Sequence, residues 1–318
     1  MMRRAAWPMR RAAAPRAAAA PQGRTTRAAS AAAAAASSFG RLAFVGGGKM
    51  SEAAASGVVS NKLVAPNDLI VSDPNPRRRQ YMGEKLGVKV TGCNVEAADG
   101  ASTIVFANKP QHCPSVFSQL RGRISQDSLV VSICAGVASS QFQEGLDHNR
   151  VVRTMPNTPA MVQGGMTVWY AMPGVSEGQL LATKQLLQSF GKEEQVTHED
   201  YLDMATALSG SGPAYFFLLM ECLVDAGVHM GFPRDVADRL VRQTALGTAV
   251  YAEQAGGTHL SILRNDITSP GGTTAAALYA ADRGNFRTVV SDAVWSALER
   301  SKALNDSTDL KKNQRPAP

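Results

Sequence analysis

Leu42-Ala43-Phe44-Val45-Gly46-Gly47-Gly48-Lys49-Met50-Ser51 is the stretch on which the reading of the fold turns. Four apolar residues run directly into three glycines, and Ala53-Ala54-Ala55 follows shortly after. An apolar run that stops at glycine and gives way to strong helix formers predicts a strand, a tight turn and a helix. Gly46 permits the turn, and Gly48 lets the backbone approach a pyrophosphate. The helix start supplies unpaired N–H donors and a partial positive charge. Ser51 stands at the third small position of such a turn.

Outward from this turn, short β-branched runs alternate with helical stretches from Arg41 onward. That alternation predicts an α/β fold: a Rossmann-type dinucleotide-binding domain over residues 40–200 with a largely parallel sheet. Strands are expected at 42–45, 69–71, 104–107, 129–133, 151–155 and 167–170. One helix is well delimited, with Ser176 as N-cap, Leu180, Leu187 and Phe190 on one face, and Gly191 as the stop. After about Tyr201 the strand runs give way to long Ala- and Leu-rich segments, so an all-helical domain is expected over 201–305. Its first long helix is expected to begin near Pro213 and run to Gly231. Apolar groups surround most of it, which requires burial on several sides, within the domain or against a second subunit. Residues 306–318 read as a disordered tail.

The chain has 318 residues, 44% apolar and 6% aromatic, which suits a globular protein with room for two domains and excludes a disordered chain. No run of strongly apolar residues long enough for a membrane span is read, and no membrane partner is expected. The formal charge of +7 equals the seven arginines among the first 40 residues, Arg3, Arg4, Arg10, Arg11, Arg16, Arg24 and Arg27, a segment without an acid. The folded part is therefore neutral, and the motive for a nucleic-acid partner disappears. An Arg- and Ala-rich, acid-free leader over 1–39 has the composition of a transit peptide. A plastid destination is expected, with mitochondrion or cytoplasm as alternatives. Cys93, Cys113, Cys134 and Cys222 lack metal-binding spacing, and the five histidines are scattered, so no metal site is expected.

The cofactor residues predicted from the first strand and turn are Val45, Gly46, Gly47, Gly48, Lys49 and Met50. At the end of the second strand the sequence reads Ser72-Asp73-Pro74-Asn75-Pro76-Arg77-Arg78-Arg79. Asp73 suits a ribose 2′-OH and NADH, whereas Arg77 and its neighbours, with Ser72 and Asn75, suit a 2′-phosphate and NADPH. NADPH is expected, NADH being possible; three successive arginines cannot all face one phosphate. Ala107-Asn108-Lys109-Pro110-Gln111 and Cys134-Ala135-Gly136 follow later strands, where such sheets bind their cofactor.

Three further segments, Val152-Arg153-Thr154-Met155-Pro156-Asn157-Thr158-Pro159, Ser209-Gly210-Ser211-Gly212-Pro213-Ala214-Tyr215 and Asp266-Ile267-Thr268-Ser269-Pro270-Gly271-Gly272-Thr273-Thr274, resemble in order and spacing three signatures of the pyrroline-5-carboxylate reductase family. The glycine turn and the Lys109-Pro110-Gln111 loop fit the same family, and the resemblance covers roughly residues 41–302. It implies NAD(P)H-dependent reduction of the cyclic imine of 1-pyrroline-5-carboxylate to L-proline. It also implies that the helical domain is a dimerisation domain, giving a homodimer or a larger oligomer of dimers. Carried over by position, Gly46 to Met50, Asn94, Ala107, Asn108, Lys109, Pro110 and Ala135 match cofactor contacts. Ser269, Gly271, Gly272, Thr273 and Thr274 match the substrate-binding loop. Asn108 departs from the family's usual Val, Lys49 from its common Asn or Gln, and Ser51 from its common Ala.

Read from its residues alone, Ser269 to Thr274 precedes a helical stretch, so its N–H groups can converge on a small carboxylate. Hydride transfer to a protonated imine needs orientation and water exclusion more than a strong side-chain acid. Thr274 is therefore expected to hydrogen-bond the ring nitrogen. Ser209 to Pro213 lacks the strand that a nucleophile elbow needs and is read as a helix cap. Another two-domain imine or β-hydroxyacid reductase is the alternative enzyme, but the absence of any Lys between Lys192 and Lys302 argues against a helix-borne Lys acid. A non-enzymatic nucleotide sensor would have no need for the anion loop.

Overall fold

The computed structural model describes residues 39–305. The expected leader, apart from its last residue, and the expected tail lie outside the described residues. Phe39 is 1% exposed and packs in the core, so the folded domain reaches at least one residue before residue 40.

Eight strands form one sheet in the order β3-β2-β1-β4-β5-β6-β7-β8. They are β1 (Leu42–Val45), β2 (Leu69–Ser72), β3 (Lys89–Thr91), β4 (Thr103–Phe106), β5 (Leu129–Ser132), β6 (Val151–Met155), β7 (Gly165–Ala171) and β8 (Gly191–Gln195). β3 through β6 are parallel, β7 runs antiparallel to β6, and β8 is parallel to β7. The chain leaves β1 for β2 in one direction and reaches β4 on the other side. The carboxyl ends of β1 and β4 therefore open a crevice at a topological switch point, with the glycine turn at its mouth.

The strands buried on both faces, β1, β2, β4 and β5, are the ones that read as continuous apolar runs. The short β3 and the polar β8, Gly-Lys-Glu-Glu-Gln, were not expected. Both lie at sheet edges, where burial imposes less apolar pattern. The expected stop at Gly191 is corrected: the preceding helix ends at Gln188 with Ser189 as its C-cap, and Gly191 begins β8. A side chain there would fall 2.1 Å from the Gly165 carbonyl oxygen, so glycine allows the two strands to meet.

The sheet is covered on both faces by α1 (Lys49–Ser60), α2 (Pro76–Leu86), α3 (Asn94–Ala98), α4 (Cys113–Leu120), α5 (Ser139–Leu146) and α6 (Glu177–Gln188). One layer buries Phe44, Val58, Leu186 and Phe190; the other buries Phe106, Phe117 and Phe142, whose rings meet edge-on or tilted at 4.9–6.2 Å. Ser176 caps α6 as expected, in a reciprocal box with Gln179.

From residue 201 all described elements are helical: α7 (Tyr201–Ala205), α8 (Gly212–His229), α9 (Arg234–Gln254), α10 (Leu260–Asp266), α11 (Thr273–Arg283) and α12 (Phe286–Asn305). The expected cap at Ser209 to Pro213 is corrected. α7 and α8 join through a π-helical turn, Thr206–Gly210, and Ser211 keeps helical angles (φ −81, ψ −19) without a side-chain cap bond. Tyr201–His229 thus forms one helical run, long and apolar enough by length and composition to cross a membrane (mean hydropathy 1.3), contrary to the expectation that no such run exists. Its composition has another outlet, since Phe216, Phe217, Leu218 and Leu223 are exposed along α8, as are Leu240 and Leu246 on α9. In the single chain α8 is therefore not buried on several sides.

Candidate active site

Gly46 adopts φ +100, which an L side chain rarely takes, and donates its N–H to the Ser72 carbonyl at 2.8 Å. A methyl group on it would lie 2.8 Å from the Asn108 nitrogen and 2.9 Å from the Ala107 carbonyl. Gly48 is the N-cap of α1 and, lacking a side chain, makes no side-chain cap bond to the first-turn N–H groups. It is exposed, as is Lys49, and its nearest neighbour in the Cβ direction is 4.0 Å away. The crevice thus presents uncapped donors and an approachable backbone to an anion, which fits a dinucleotide pyrophosphate. Val45 is buried in β1, and Met50 is half-buried behind the turn.

Asp73 holds this turn from the side. Its Oδ2 accepts the Gly47 N–H at 2.8 Å, and its Oδ1 accepts the Asn75 N–H at 2.8 Å. Asn75 caps α2 by accepting the Arg77 N–H at 3.0 Å. The three arginines divide their work, as three successive side chains must. Arg77 is exposed in the first turn of α2, whereas Arg79 donates to the carbonyls of Asp73 (2.7 Å) and Pro74 (3.0 Å). Arg78 reaches back to the Gly47 and Gly48 carbonyls and to Glu52.

Glu52 was missed by the sequence reading. It is a buried carboxylate gathering Arg78 at 2.5 Å, Lys85 at 2.6 Å and the Tyr81 hydroxyl at 2.8 Å. Burial pushes its carboxyl up, but the hydrogen bonds from Lys85, Arg78 and Tyr81 outweigh it and hold the pKa at about 2. The only available signal was an acid four residues past Gly48 with bases 26 and 33 residues further on. Nothing local says that they meet.

Asn94 opens α3, accepts the Ser72 hydroxyl at 2.7 Å and donates to Gln119 at 2.9 Å, which places it at the β2 side of the crevice. Ala107 donates its N–H to the Val45 carbonyl at 2.8 Å, fastening the β4 loop to the β1 loop. Lys109 and Ala135 are exposed, Asn108 is half-buried, and Pro110 starts a 3-10 turn. The residues read as cofactor contacts thus lie at the carboxyl ends of β1, β2, β4 and β5 and at the starts of α1, α2 and α3, with Arg77 exposed in the first turn of α2. His148 is buried against the Ser128 carbonyl at 2.8 Å, with burial lowering its pKa, which is a structural role.

Far along the chain, Gly271 takes φ +68 and Gly272 is the N-cap of α11, with no side-chain cap bond. The Gly272 N–H closes a turn on the Ser269 carbonyl at 3.0 Å, and the Ser269 hydroxyl stands where a Gly272 side chain would go. The first-turn N–H groups of Thr273 and Thr274 lie beside this turn, and Thr274 is half-buried. A turn of this form before a helix start can present its N–H groups to a small anion. Ser269, Gly271 and Thr273 are exposed, and among the described residues the hydrogen bonds of 269–274 are local. The single chain forms both cradles but does not hydrogen-bond one to the other. One link between the two domains is Asn157, which follows β6, donates to the Ser209 carbonyl at 3.1 Å and accepts the Met166 N–H. Among the described residues no cluster of three metal-ligating side chains occurs.

A nucleotide crevice on a doubly wound sheet, followed by a helical domain with an exposed apolar surface, defines an NAD(P)H-dependent oxidoreductase. Comparison with known proteins narrows the class. Residues 41–136 match the family model described as NADP oxidoreductase coenzyme F420-dependent, and residues 199–304 match the one described as pyrroline-5-carboxylate reductase dimerisation. A pyrroline-5-carboxylate reductase of Synechocystis is 38% identical over 83% of this chain and 98% of its own length, and one of Arabidopsis thaliana is 36% identical over 84% and 96%. The chain belongs to the pyrroline-5-carboxylate reductase family. Among solved structures, the reductase of Coxiella burnetii has a TM-score of 0.80 at 33% identity, covering 85% of this chain and 100% of the other. The Plasmodium falciparum enzyme, solved with NADP bound, has a TM-score of 0.75 at 31% identity, covering 84% and 98%.

Proposed function

We propose that the chain reduces 1-pyrroline-5-carboxylate to L-proline with NADPH, as the last step of proline biosynthesis. The observation that carries this reading is that one chain holds two anion cradles of different size. One is the uncapped start of α1 behind Gly46, and the other is the Ser269 to Thr274 turn before α11. NADPH, when bound, supplies the hydride. The protein's own residues bind and orient: the N–H groups of 48–50 take a pyrophosphate, and exposed Arg77 takes the adenosine-side phosphate. Asp73 and Arg78 keep the turn in shape. The α11 cradle takes the ring carboxylate, and the Thr274 hydroxyl holds the ring nitrogen, where the proton ends. A homodimer, or a larger oligomer of dimers, covers the exposed faces of α8 and α9 and shields the substrate from water.

The test is coenzyme consumption by the purified full chain given pyrroline-5-carboxylate with NADPH or NADH. Turnover with neither coenzyme overturns the reading. Thr274→Ala is expected to lower kcat/KM by roughly 10- to 100-fold, the loss of one or two hydrogen bonds to a charged group. Unchanged kinetics would remove the assigned role.

We infer as well that residues 1–39 carry the chain to the plastid, on the strength of their seven arginines and the absence of acids. A fluorescent fusion to this segment should accumulate in plastids; mitochondrial or cytoplasmic fluorescence would reverse the assignment.

A further inference from the structure

Glu52 puts a negative charge one turn past Gly48, in the helix whose start is to bind a pyrophosphate, and the proposed mechanism gives it no part. A bare carboxylate there would oppose that ligand. It is 5% exposed, and both of its oxygens are filled from α2. Oε2 takes Arg78 Nη2 at 2.5 Å, and Oε1 takes Lys85 Nζ at 2.6 Å and the Tyr81 hydroxyl at 2.8 Å. Tyr81 also lies against Arg78, whose guanidinium carbon stands 4.7 Å from the ring centroid. One carboxylate thus fixes both the end of the arginine and the ring on which the arginine rests.

We propose that Glu52 is a positioning residue for the coenzyme, acting through Arg78 to set the direction of the Gly48 and Lys49 N–H groups. Held by Glu52, Arg78 donates from Nε to the Gly47 carbonyl and from Nη2 to the Gly48 carbonyl at 3.2 Å. These peptides are trans and planar, so the carbonyl of one residue and the N–H of the next point in opposite directions. Turning the Gly47 and Gly48 carbonyls toward Arg78 therefore turns the Gly48 and Lys49 N–H groups away from it. Among the described residues neither N–H is engaged, and both are left for the pyrophosphate. Glu52 grips the Gly48 carbonyl twice, since its own N–H also donates there at 2.9 Å. Two successive glycines leave these peptides free to rotate, so a hold from outside the turn is needed to keep the donors in place before the coenzyme arrives. Because NADPH and NADH share the pyrophosphate, this hold serves both equally.

The test compares the full chain with its Glu52→Gln, Arg78→Met and Glu52→Gln/Arg78→Met variants. NADPH and NADH binding are followed by coenzyme fluorescence, and turnover is measured with pyrroline-5-carboxylate. Glu52→Gln keeps the shape of the side chain but gives up the charge that holds Arg78. The expected result is binding weakened about tenfold, by the same factor for both coenzymes, with kcat per folded chain and the KM for pyrroline-5-carboxylate unchanged. Tenfold corresponds to about 1.4 kcal/mol. Since Glu52 acts through Arg78, the double variant should bind no more weakly than Arg78→Met alone. A merely structural role would lower the melting temperature without this split. Should Glu52→Gln not fold, Glu52→Asp carries the same readout, because it keeps the buried charge but is one methylene too short to hold Arg78 in place. Wild-type coenzyme affinity in the folded variant, a loss confined to NADPH, a fall in kcat at saturating coenzyme, or losses that multiply in the double variant would each overturn the proposal. The proposal rests on the coenzyme reading, and the two fail separately: a wild-type chain that binds neither coenzyme refutes that reading, whereas unaltered binding in Glu52→Gln refutes only the role of Glu52.

Discussion

Gly46→Ala should weaken NADPH binding by about 100-fold or more and lower the melting temperature as well. At φ +100 an alanine costs roughly 1–2 kcal/mol through its backbone alone. Its methyl group would meet the Asn108 nitrogen at 2.8 Å and the Ala107 carbonyl carbon and oxygen at 2.9 Å, and these are backbone atoms of a loop already bonded to Val45. Neither wall can yield without moving the β4 loop, so the turn itself must move. The N–H groups after it then lose their convergence on the pyrophosphate. Gly48→Ala provides the contrast: the nearest atom there is 4.0 Å away, so the apo protein accommodates the methyl group. Its melting temperature should be unchanged while NADPH binding falls, because the methyl group stands on the surface the pyrophosphate approaches. Fluorescence titration and thermal melts on both variants separate the cases. Wild-type affinity in Gly46→Ala would show that the coenzyme lies elsewhere.

The largest loss of stability is expected from Arg153→Met. Arg153 is 5% exposed on β6 and pairs with Glu199 at 2.8 Å and Asp203 at 3.8 Å. Glu199 also accepts the Ser139 N–H at 2.7 Å and its hydroxyl, and Asp203 accepts the Ser301 hydroxyl at 2.9 Å. One guanidinium thus sits where the sheet, the start of α5, α7 and α12 converge. Methionine fills much of the volume but removes the buried cation that pairs with Glu199 and Asp203. The expected cost is about 3–5 kcal/mol. At about 2–4 °C per kcal/mol for a chain of this size, the melting temperature should fall by roughly 10 °C. Arg153→Met/Glu199→Gln should recover part of the loss, since the excess negative charge of the cluster is then smaller. A melt within about 2 °C of wild type, the change expected from less than about 1 kcal/mol, would assign the stability of this junction to packing alone.

The legible parts of this protein are those whose cause lies within a few residues. Leu42 to Val45 followed by Gly46 specifies a buried strand and a tight turn because each residue's own side chain, or lack of one, sets the preference. Ser176 with Gln179 three positions on specifies a helix start for the same reason, and Gly271 and Gly272 before Thr273 specify a backbone cradle. From such local signals the strand–turn–helix at the head of the sheet and the turn before α11 follow. β3 and β8 carry no such signal: Lys-Val-Thr and Gly-Lys-Glu-Glu-Gln become strands because β2 and β7 offer unpaired backbone groups beside them. Glu52 with Arg78 and Lys85, and Arg153 with Glu199 and Asp203, are likewise invisible until the fold brings them together. The split of the three arginines between solvent, backbone carbonyls and Glu52 also emerges only there. Side-chain preference and glycine freedom act along the chain, whereas sheet pairing and buried charge depend on neighbours that topology supplies from tens of residues away.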